Sequence, residues 1–397
     1  MLAFDIQKNT PSGRRGRIHT PHGIIETPAF LFCATKATLK GLSVEAIREH
    51  HTQILLSNTY HLMIQPGSEL VKKAGGIHKF MGWDGPVFTD SGGSQIFSLG
   101  HGSVSQEIKG QRGKHPNNLR SLTKITEDGA FFHSYVNGKK YLLTPESSIT
   151  IQQDIGADLI CVLDECTPFH VHRKYTERSM ERSHRWAQRS LREFQKKDTG
   201  IQGLYGIVQG GIYDDLREKS ANYMNSLPFF GHAIGGSLGK NKEQMYHVVD
   251  TTMRYLSPRR PIHLLGIGDI EDIFVHVKKG IDTFDCVAPT RLGRHGNALI
   301  SMEYWANAHE DFHGRHHIDL SKACFQSDFR PISSTCTCWT CTSYSRAYLH
   351  HLIKAKELLA MISLTIHNVH TMNTLFSDIR HALETDSLAS IEKKWIG

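Results

Sequence analysis

Three acidic residues stand where short apolar runs end, and their side chains are the first candidates for chemistry. Asp90 lies in FTDSGGSQ, Asp164 in LDEC and Asp285 in FDCVAPTR. Aspartate is common at caps and turns, so each acid taken alone is weak evidence for chemistry. Together on one face, they favour work on a glycosidic bond, with one carboxylate attacking the anomeric carbon and another moving protons.

Two arginines that follow the last acid suggest what carries the sugar. Arg291 and Arg294 lie shortly after Asp285, in a glycine-containing segment. Guanidinium groups bind phosphate oxygens in pairs. Because a sugar with phosphates on either side is a nucleotide within a strand, the pattern favours a nucleic-acid substrate.

A cysteine cluster near the C-terminus predicts a metal site. Cys336, Cys338 and Cys341 in STCTCWTC follow the spacing C-x-C-x2-C, which is typical of thiolate ligands. Zn²⁺ needs a fourth ligand, and His367 in LTIHNVH is the best candidate, with His370 as its rival. Four protein ligands leave no position for water, so we expect a structural zinc site.

The elements that must position these residues recur along the chain as short apolar runs ending in Gly, Asp, Asn or Gln. Charged, helix-like stretches separate most of them, which predicts βαβ units and a parallel sheet. Eight such runs predict an α/β fold, an irregular (β/α)8 TIM barrel whose active site lies at the C-terminal strand ends. An open doubly wound sheet is the alternative, but no GxGxxG opens a first helix. The runs are residues 27–37, 53–58, 86–93, 157–166, 203–211, 232–239, 261–268 and 281–289.

The predicted organisation has three parts. Residues 1–320 form the barrel, residues 321–370 a zinc-binding subdomain, and residues 371–397 a C-terminal helix that packs on the barrel. Within the barrel, residues 101–122 form a polar and basic insertion. We interpret it as a flexible loop beside the barrel mouth, with a disordered insertion of no function as the alternative.

Bulk properties limit the class of protein. The chain has 397 residues, 39% of them apolar, which is ample for a packed core and normal for an α/β barrel. A net charge of +7 permits nucleic-acid binding without demonstrating it. No signal peptide and no membrane span is predicted, and the eight unevenly spread cysteines argue against a disulfide scaffold. The expected location is cytoplasmic.

Longer motifs identify the family that the sequence resembles. The chain contains, in order, RRGRIHTPHGIIETPAF, LSNTYHLM, GGIHKFMGWDGPVFTDSGGSQ, DECTP, YGIVQGG, GIDTFDCVAPTR, CTCWTC, SRAYLHHL and TIHN. From about Gly16 to His370 it resembles the queuine tRNA-ribosyltransferases, also called tRNA-guanine transglycosylases. The resemblance implies a zinc-containing (β/α)8 barrel that exchanges guanine in a tRNA anticodon for a 7-deazaguanine. No redox or nucleotide cofactor is expected.

The resemblance also implies a role for each site residue. Asp285 is the expected nucleophile at C1′ of the wobble guanosine, and Asp90 is the expected general acid/base, which also contacts the base. Asn58 is expected to support Asp285 or the ribose. The other expected base-binding residues are Ser91, Asp164, Gln209, Gly236 and Leu265. The expected RNA-binding residues are Arg291, Arg294, Gly266 and Ile267.

Several positions depart from the family pattern around the base. Ser94 replaces an aromatic residue that stacks on the base, Ser237 has lost bulk, and Gly239 stands about where bacterial members have valine. Loss of a stacking ring costs about 1–3 kcal/mol per base, and Leu265, which replaces a methionine, is a candidate to pack on the base. We hypothesise a widened pocket that accepts queuine rather than, or as well as, the smaller preQ1.

Other functions compete with base exchange. A non-catalytic partner subunit of a transglycosylase is expected to lack one of the acids, whereas Asp90 and Asp285 are both present. An archaeal-type enzyme acting in the D-loop carries a C-terminal RNA-binding extension, and this chain stops soon after the zinc region. A metal-dependent hydrolase on a barrel needs a His/Asp ligand set at the strand ends, which this sequence lacks.

The resemblance finally implies the partners. The expected substrates are a free 7-deazaguanine base and the anticodon loop of tRNAs with GUN anticodons, those for Asp, Asn, His and Tyr. The family forms homodimers, and Tyr344, Tyr348 and His351 share one helix face by their i, i+4, i+7 spacing. That face is either core or a subunit contact, and we expect a homodimer without a membrane partner.

Overall fold

The computed structural model describes residues 2–101, 123–168, 171–302 and 316–397, so most of the basic insertion at 101–122 lies outside the described residues. The strands are β1 (Ala3–Thr10), β2 (Gly13–Thr20), β3 (Gly23–Thr27), β4 (Ala29–Cys33), β5 (Leu55–Ser57), β6 (Val87–Thr89), β7 (Thr123–Ile125), β8 (Ala130–His133), β9 (Lys140–Leu143), β10 (Leu159–Cys161), β11 (Gly203–Val208), β12 (Gly231–Ile234), β13 (Ile262–Leu264), β14 (Thr283–Cys286), β15 (Asn297–Leu299) and β16 (His317–Asp319). The α-helices span Val44–Glu49, Thr59–Ile64, Ser68–Lys73, Ile77–Met81, Gly93–His101, Pro145–Ile155, Arg173–Lys196, Asp214–Asn225, Lys242–Tyr255, Ile270–Val277, Ala288–Arg294, Trp339–Ser343, Arg346–Lys354, Leu358–Thr385 and Leu388–Ile396. In the described ranges, none of these helices combines the length and the apolar character that crossing a bilayer requires.

Eight parallel strands form a closed barrel and confirm the predicted fold class. They are β4, β5, β6 and β10 to β14; each pairs with the next, and β14 pairs with β4. Every predicted apolar run overlaps one of these strands. All residues of these eight strands except Asp285 and Cys286 are buried, because helices cover one side of the sheet and side chains fill the interior.

The candidate residues lie at one end of this barrel. Asp90 directly follows β6, Gln209 directly follows β11, and Asp285 is the third residue of β14. Asp164 and Gly236 come shortly after β10 and β12. Because all eight strands are parallel, their carboxyl ends share one mouth, and the sequence positions of these residues bring them to it.

The antiparallel sheet of β1, β2 and β3 is tied to the opposite end of the barrel. Arg14 Nε donates to Asp282 Oδ1 (2.9 Å), and His22 Nδ1 lies 2.7 Å from Asp158 Oδ1. Each of these buried acids also accepts the backbone N–H of the first residue of a neighbouring barrel strand. Their hydrogen bonds therefore fix strand starts, which separates these two acids from those at the mouth.

The C-terminal region packs around a long helix, Leu358–Thr385, which carries His367. A separate small hydrophobic cluster that includes Phe325 and Leu349 lies beside it. The preceding helix ends at Lys354, since Lys356 takes a left-handed φ of 58°. The long helix runs through position 370, and the division of the chain at 320 and 370 stays a prediction.

Candidate active site

The two carboxylate oxygens of Asp285 have different surroundings. Oδ1 accepts a hydrogen bond from Gly266 N–H (2.9 Å) and lies 3.1 Å from His263 Nε2. Thr283 Oγ1 lies 2.9 Å from Nδ1 of the same buried ring, and a hydroxyl that donates there leaves the ring proton on Nε2, facing Asp285. Within the described residues, the one hydrogen-bonding group found at Oδ2 is the Cys33 thiol, at 3.8 Å. Oδ1 is therefore the held oxygen and Oδ2 the less engaged one.

Asp90 is surrounded by hydrogen-bond donors. Its Oδ1 accepts from Thr59 N–H (3.0 Å) and Gly92 N–H (3.2 Å), and its Oδ2 accepts from the Asn58 amide. Burial raises the pKa of Asp90 to about 7, and the charge of Asp285 contributes to the rise. A carboxyl group with a pKa near neutrality can both give and take a proton under physiological conditions.

The partner of Asn58 differs from the expected one. Its amide bonds Asp90, not Asp285, because β5 and β6 are adjacent in the barrel and their C-terminal residues meet. Its carbonyl oxygen accepts from His61 N–H (3.0 Å) and caps the helix Thr59–Ile64. Asn58 thus joins a helix start to a candidate acid/base.

Asp164 and Gln209 form a buried pair. Gln209 Nε2 donates to Asp164 Oδ2 (2.5 Å), and Ser91 Oγ donates to Oδ1 (3.4 Å). Burial raises the pKa of Asp164 to about 6, while the bonds from Gln209 and Ser91 oppose the rise. An acceptor and a donor placed side by side can read the N–H and C=O groups along one edge of a base.

Glycines make room for a close approach at this pair. Gly236 has a φ of 76°, and a Cβ built on it would lie 2.3 Å from Gln209 Oε1. A Cβ on Gly93 would lie 2.8 Å from the Asp164 carbonyl oxygen. Leu265 is half-buried and lies against the same loop. A Cβ built on Gly235 would lie 3.4 Å from Leu265 Cδ1. A side chain at Gly236 would therefore displace the Gln209 amide.

The positions that depart from the family pattern have separate surroundings. Ser94 is exposed at the start of the helix Gly93–His101. Ser237 is fully buried, and its hydroxyl accepts from Gly239 N–H (3.3 Å). A Cβ on Gly239 would lie 2.6 Å from Gln244 Cγ, so the Gln244 side chain fills the space that a valine would take. Gly239 itself therefore opens no room.

The residues expected to contact RNA follow β13 and β14. On the helix Ala288–Arg294, Arg291 is exposed and Arg294 half-buried. Nη1 of Arg294 is buried and has no hydrogen-bond partner in the described part of the chain, and burial with the charge of Arg291 lowers the pKa of Arg294. A buried donor without an acceptor costs about 1–3 kcal/mol, which an anion can offset. Gly266 is exposed and already bonds Asp285, while the side chain of Ile267 is only 8% exposed.

Cys336, Cys338, Cys341 and His367 converge in a cluster consistent with a structural zinc site. The three sulfurs lie 3.7, 3.6 and 3.4 Å from His367 Nδ1. Tetrahedral zinc with ordinary Zn–S and Zn–N bonds spaces such ligand atoms about 3.5 Å apart, so the donor set fits. His367 Nε2 lies 2.8 Å from the Leu299 carbonyl, which fixes the ring and leaves Nδ1 as the ligand atom. The rival His370 is outside this cluster.

Two residues beside the site escaped the sequence interpretation. His263 was one polar residue within an apolar strand run, PIHLLGIG, and that contrast was the available signal. Arg217 lies in a helix rich in charged residues, where nothing in the sequence distinguishes a buried guanidinium from an exposed one.

Comparison with known proteins agrees with this arrangement. The family model described as queuine tRNA-ribosyltransferase matches residues 9–397. A queuine tRNA-ribosyltransferase from Roseiflexus sp. (strain RS-1) is 45% identical over 407 aligned positions, covering 100% of this chain and 99% of that protein. One from Staphylococcus aureus (strain N315) is 43% identical over 383 positions, covering 96% and 92%. The chain therefore belongs to the queuine tRNA-ribosyltransferase family and is a tRNA-guanine transglycosylase, an enzyme of the pentosyltransferase class.

Proposed function

We propose that this enzyme replaces guanine at wobble position 34 of tRNAs with GUN anticodons, those for Asp, Asn, His and Tyr, by a free 7-deazaguanine during queuosine formation. The observation that carries the proposal is the contrast between two carboxylates at one barrel mouth. Asp285 has one held and one less engaged oxygen, and Asp90 is buried with a pKa raised to about 7. The first suits nucleophilic attack and the second suits proton transfer.

The first half of the reaction breaks the bond to guanine. Oδ2 of Asp285 attacks C1′ of the ribose, while Gly266 N–H and His263 keep Oδ1 in place. The C1′–N9 electron pair passes to the base, and protonated Asp90 supplies the proton that the base takes up. The products are a covalent ribosyl–Asp285 ester and free guanine.

The second half reverses these roles. The incoming 7-deazaguanine binds where guanine stood, and ionised Asp90 removes its N9 proton. N9 then attacks C1′ and the Asp285 carboxylate leaves. Proton, electron pair and ribose are balanced over the two halves, so the route needs neither ATP nor a redox cofactor.

The base is held by the remaining pocket residues. Asp164 accepts the N–H groups of the guanine-like edge, and Gln209 and the Gly236 backbone donate to its carbonyl oxygen. Ser91 hydrogen-bonds beside the base, and Leu265 packs against its face. The support is the buried Asp164–Gln209 pair, whose donor and acceptor match that edge.

The RNA strand is held next to the nucleophile. Arg291 and Arg294 bind the phosphates that flank the target nucleotide, and backbone groups of Gly266 and Ile267 line its path. The unpartnered buried Nη1 of Arg294 supports this role. One structural Zn²⁺ per chain, held by the Cys3His cluster, keeps the C-terminal region folded.

The functional unit is a homodimer that pairs through exposed aromatic residues. Trp339 and Tyr348 are 37% and 40% exposed. The Tyr344 ring lies between them, with its centroid 5.1 Å from that of Trp339 and 5.0 Å from that of Tyr348. The His351 ring stacks on Tyr348 at the end of the row. Aromatic surfaces of this kind are enriched at interfaces between subunits.

The test is base exchange on tRNA that carries labelled guanine at position 34, with queuine and preQ1 offered separately. Release with both, or with queuine alone, supports exchange and the widened pocket, which then rests on Ser94 and Ser237, because Gly239 opens no room. Release with preQ1 alone contradicts the widened pocket. Replacing Ser94 by Phe should lower the rate with queuine more than the rate with preQ1.

The alternative is a non-catalytic partner subunit that binds tRNA or base only. Failure to release guanine with either base, in folded protein that contains zinc, favours this alternative. The Asp285→Asn variant serves as the background, because a carboxamide of nearly the same shape replaces the proposed nucleophile.

A further inference from the structure

Arg217 is a fully buried arginine whose partners are backbone carbonyls. It lies in the helix Asp214–Asn225 and is 0% exposed. Within the described residues, it forms no salt bridge with a carboxylate. Burying a guanidinium without a counter-ion is costly, and such a group persists where several hydrogen bonds compensate it.

The guanidinium bonds the two loops that face the base. Nε donates to the Gly211 carbonyl (2.7 Å) and Nη1 to the Val208 carbonyl (3.2 Å), on either side of Gln209. Nη1 also donates to the Gly235 carbonyl (2.9 Å) and Nη2 to the carbonyl of Ser237 (3.0 Å). One side chain therefore joins the C-terminal ends of β11 and β12.

The carbonyls of Gly235 and Ser237, which Arg217 also bonds, belong to the residues on either side of Gly236. The Gly235 carbonyl and the Gly236 N–H belong to the same planar trans peptide, so they point in opposite directions. Arg217 bonds the carbonyl, and no hydrogen bond from the Gly236 N–H is found in the described part of the chain. Polarising one end of a peptide strengthens the donor at the other.

The guanidinium is also close to the pocket itself. A Cβ built on Gly236 would lie 3.6 Å from Arg217 Nη2 and 2.3 Å from Gln209 Oε1. The positive charge thus lies directly behind the two groups proposed to donate to the base. Asp164, the acceptor of the same pocket, bonds Gln209 and, within the described residues, has no hydrogen bond to Arg217.

We infer that Arg217 is a positioning residue that gives the pocket its preference for an oxo group on the base, acting through the Gly235–Gly236 peptide and the Gln209 turn. The inference rests on the proposed function, since it takes Gly236 and Gln209 as base-binding residues. The chemical class selected is a purine or 7-deazapurine with a carbonyl at the six position. Arg217 itself does not touch the base.

The test compares guanine with 6-thioguanine. The two bases share their N–H groups and differ in one acceptor, and sulfur is the weaker acceptor. Dissociation constants are measured by equilibrium dialysis without tRNA for the wild type, Arg217→Met and Arg217→Gln. We expect guanine binding to weaken roughly 10–100-fold in the variants, and 6-thioguanine binding to weaken much less. The preference for guanine should therefore fall at least about fivefold.

Arg260→Met is the matched control. Arg260 also donates to backbone carbonyls, those of Leu227 and Asn225, but lies just before β13, at the other end of the barrel. The Arg260→Met variant should leave the preference for guanine over 6-thioguanine unchanged. Thermal melting and zinc content establish that each variant is folded, and the second Arg217 substitution serves if the first does not fold.

A folded Arg217 variant that keeps the wild-type preference overturns the inference, as does equal weakening for both bases. Failure of the proposed function gives a different result. A wild type that binds guanine but exchanges no base on tRNA contradicts the proposed exchange, while its dialysis constants still decide the role of Arg217.

Discussion

Asn58 connects a helix cap to Asp90 through the two ends of one amide. Its nitrogen donates to Asp90 Oδ2, and its oxygen accepts from the His61 N–H. The N–H of Thr59, the first residue of that helix, bonds the other oxygen of Asp90. The helix start therefore supplies a hydrogen bond to each carboxylate oxygen of the proposed acid/base.

Substituting Asn58 should change the pKa of Asp90 more than it changes the stability of the fold. Asn58→Asp keeps a capping oxygen but sets a second carboxylate against Asp90, so the pKa of Asp90 should rise further. The pH dependence of guanine release should move upward with it. Asn58→Ser keeps the cap, loses the amide donor to Asp90 and adds no charge, so the midpoint should rise by less than in Asn58→Asp; an equal rise in both variants would contradict this account. Loss of the cap in Asn58→Ala costs about 1 kcal/mol.

The pH dependence should have two limbs. The pKa of Asp90 is raised to about 7, and the protonated form is needed to release guanine, so single-turnover release should fall as pH rises through about 7. The pKa of Asp164 is raised to about 6, and the ionised form is needed to accept N–H groups, so base binding should weaken as pH falls through about 6. The rate of guanine release and the strength of base binding, each measured across this pH range, check the two limbs. Persistence of the acid limb in Asp164→Asn would assign it to another group.

Removing Asp285, the proposed nucleophile, should abolish the covalent intermediate. Asp285→Asn is expected to lower the exchange rate by about 10⁴-fold or more, because a carboxamide is a far weaker nucleophile than a carboxylate. Denaturing electrophoresis of enzyme with tRNA should show a slow-moving adduct for the wild type and none for the variant. The affinity for tRNA should stay within about threefold. An adduct formed by Asp285→Asn would remove Asp285 from the role.

The two arginines should act on RNA and leave base binding unchanged. Arg291→Ala and Arg294→Ala should each weaken tRNA binding and reduce the slope of log affinity against log salt by about 1. The dissociation constant of the free base should not change. A slope that stays at the wild-type value would mean that the arginine contacts no phosphate.

Removing one ligand of the proposed zinc cluster should lower the zinc content and the stability of the C-terminal region. Cys338→Ser should reduce the zinc content from about one per chain towards none, since a tetrahedral site loses most of its affinity with one ligand. The melting temperature should fall by several degrees or more. Zinc content measured by elemental analysis, with Cys324→Ser as the control outside the cluster, checks this outcome. Unchanged zinc in the Cys338 variant would exclude the assigned ligand set.

The sequence predicted what is local and periodic. Apolar runs with polar ends located all eight barrel strands, and the close cysteine spacing located the metal cluster. The sequence left His367 and His370 as rivals, since only the packing of the long helix turns Nδ1 of His367 towards the sulfurs. The Asn58–Asp90 bond and the contacts of Arg217 join neighbouring strands that are separated in sequence. Helical charge patterns do not distinguish a buried arginine from an exposed one.

The long helix Leu358–Thr385 has a consequence for how the enzyme fails. Next to His367, Asn368 donates to the carbonyls of Pro289 and Asn297 and accepts from the Leu299 N–H. Pro289 lies in the helix that carries both arginines, so Asn368 ties the proposed zinc ligand His367 to the helix proposed to bind RNA. Partial loss of metal should therefore first produce an enzyme that still binds free bases but binds RNA weakly. Metal supply would then limit tRNA binding before it limits the amount of folded enzyme.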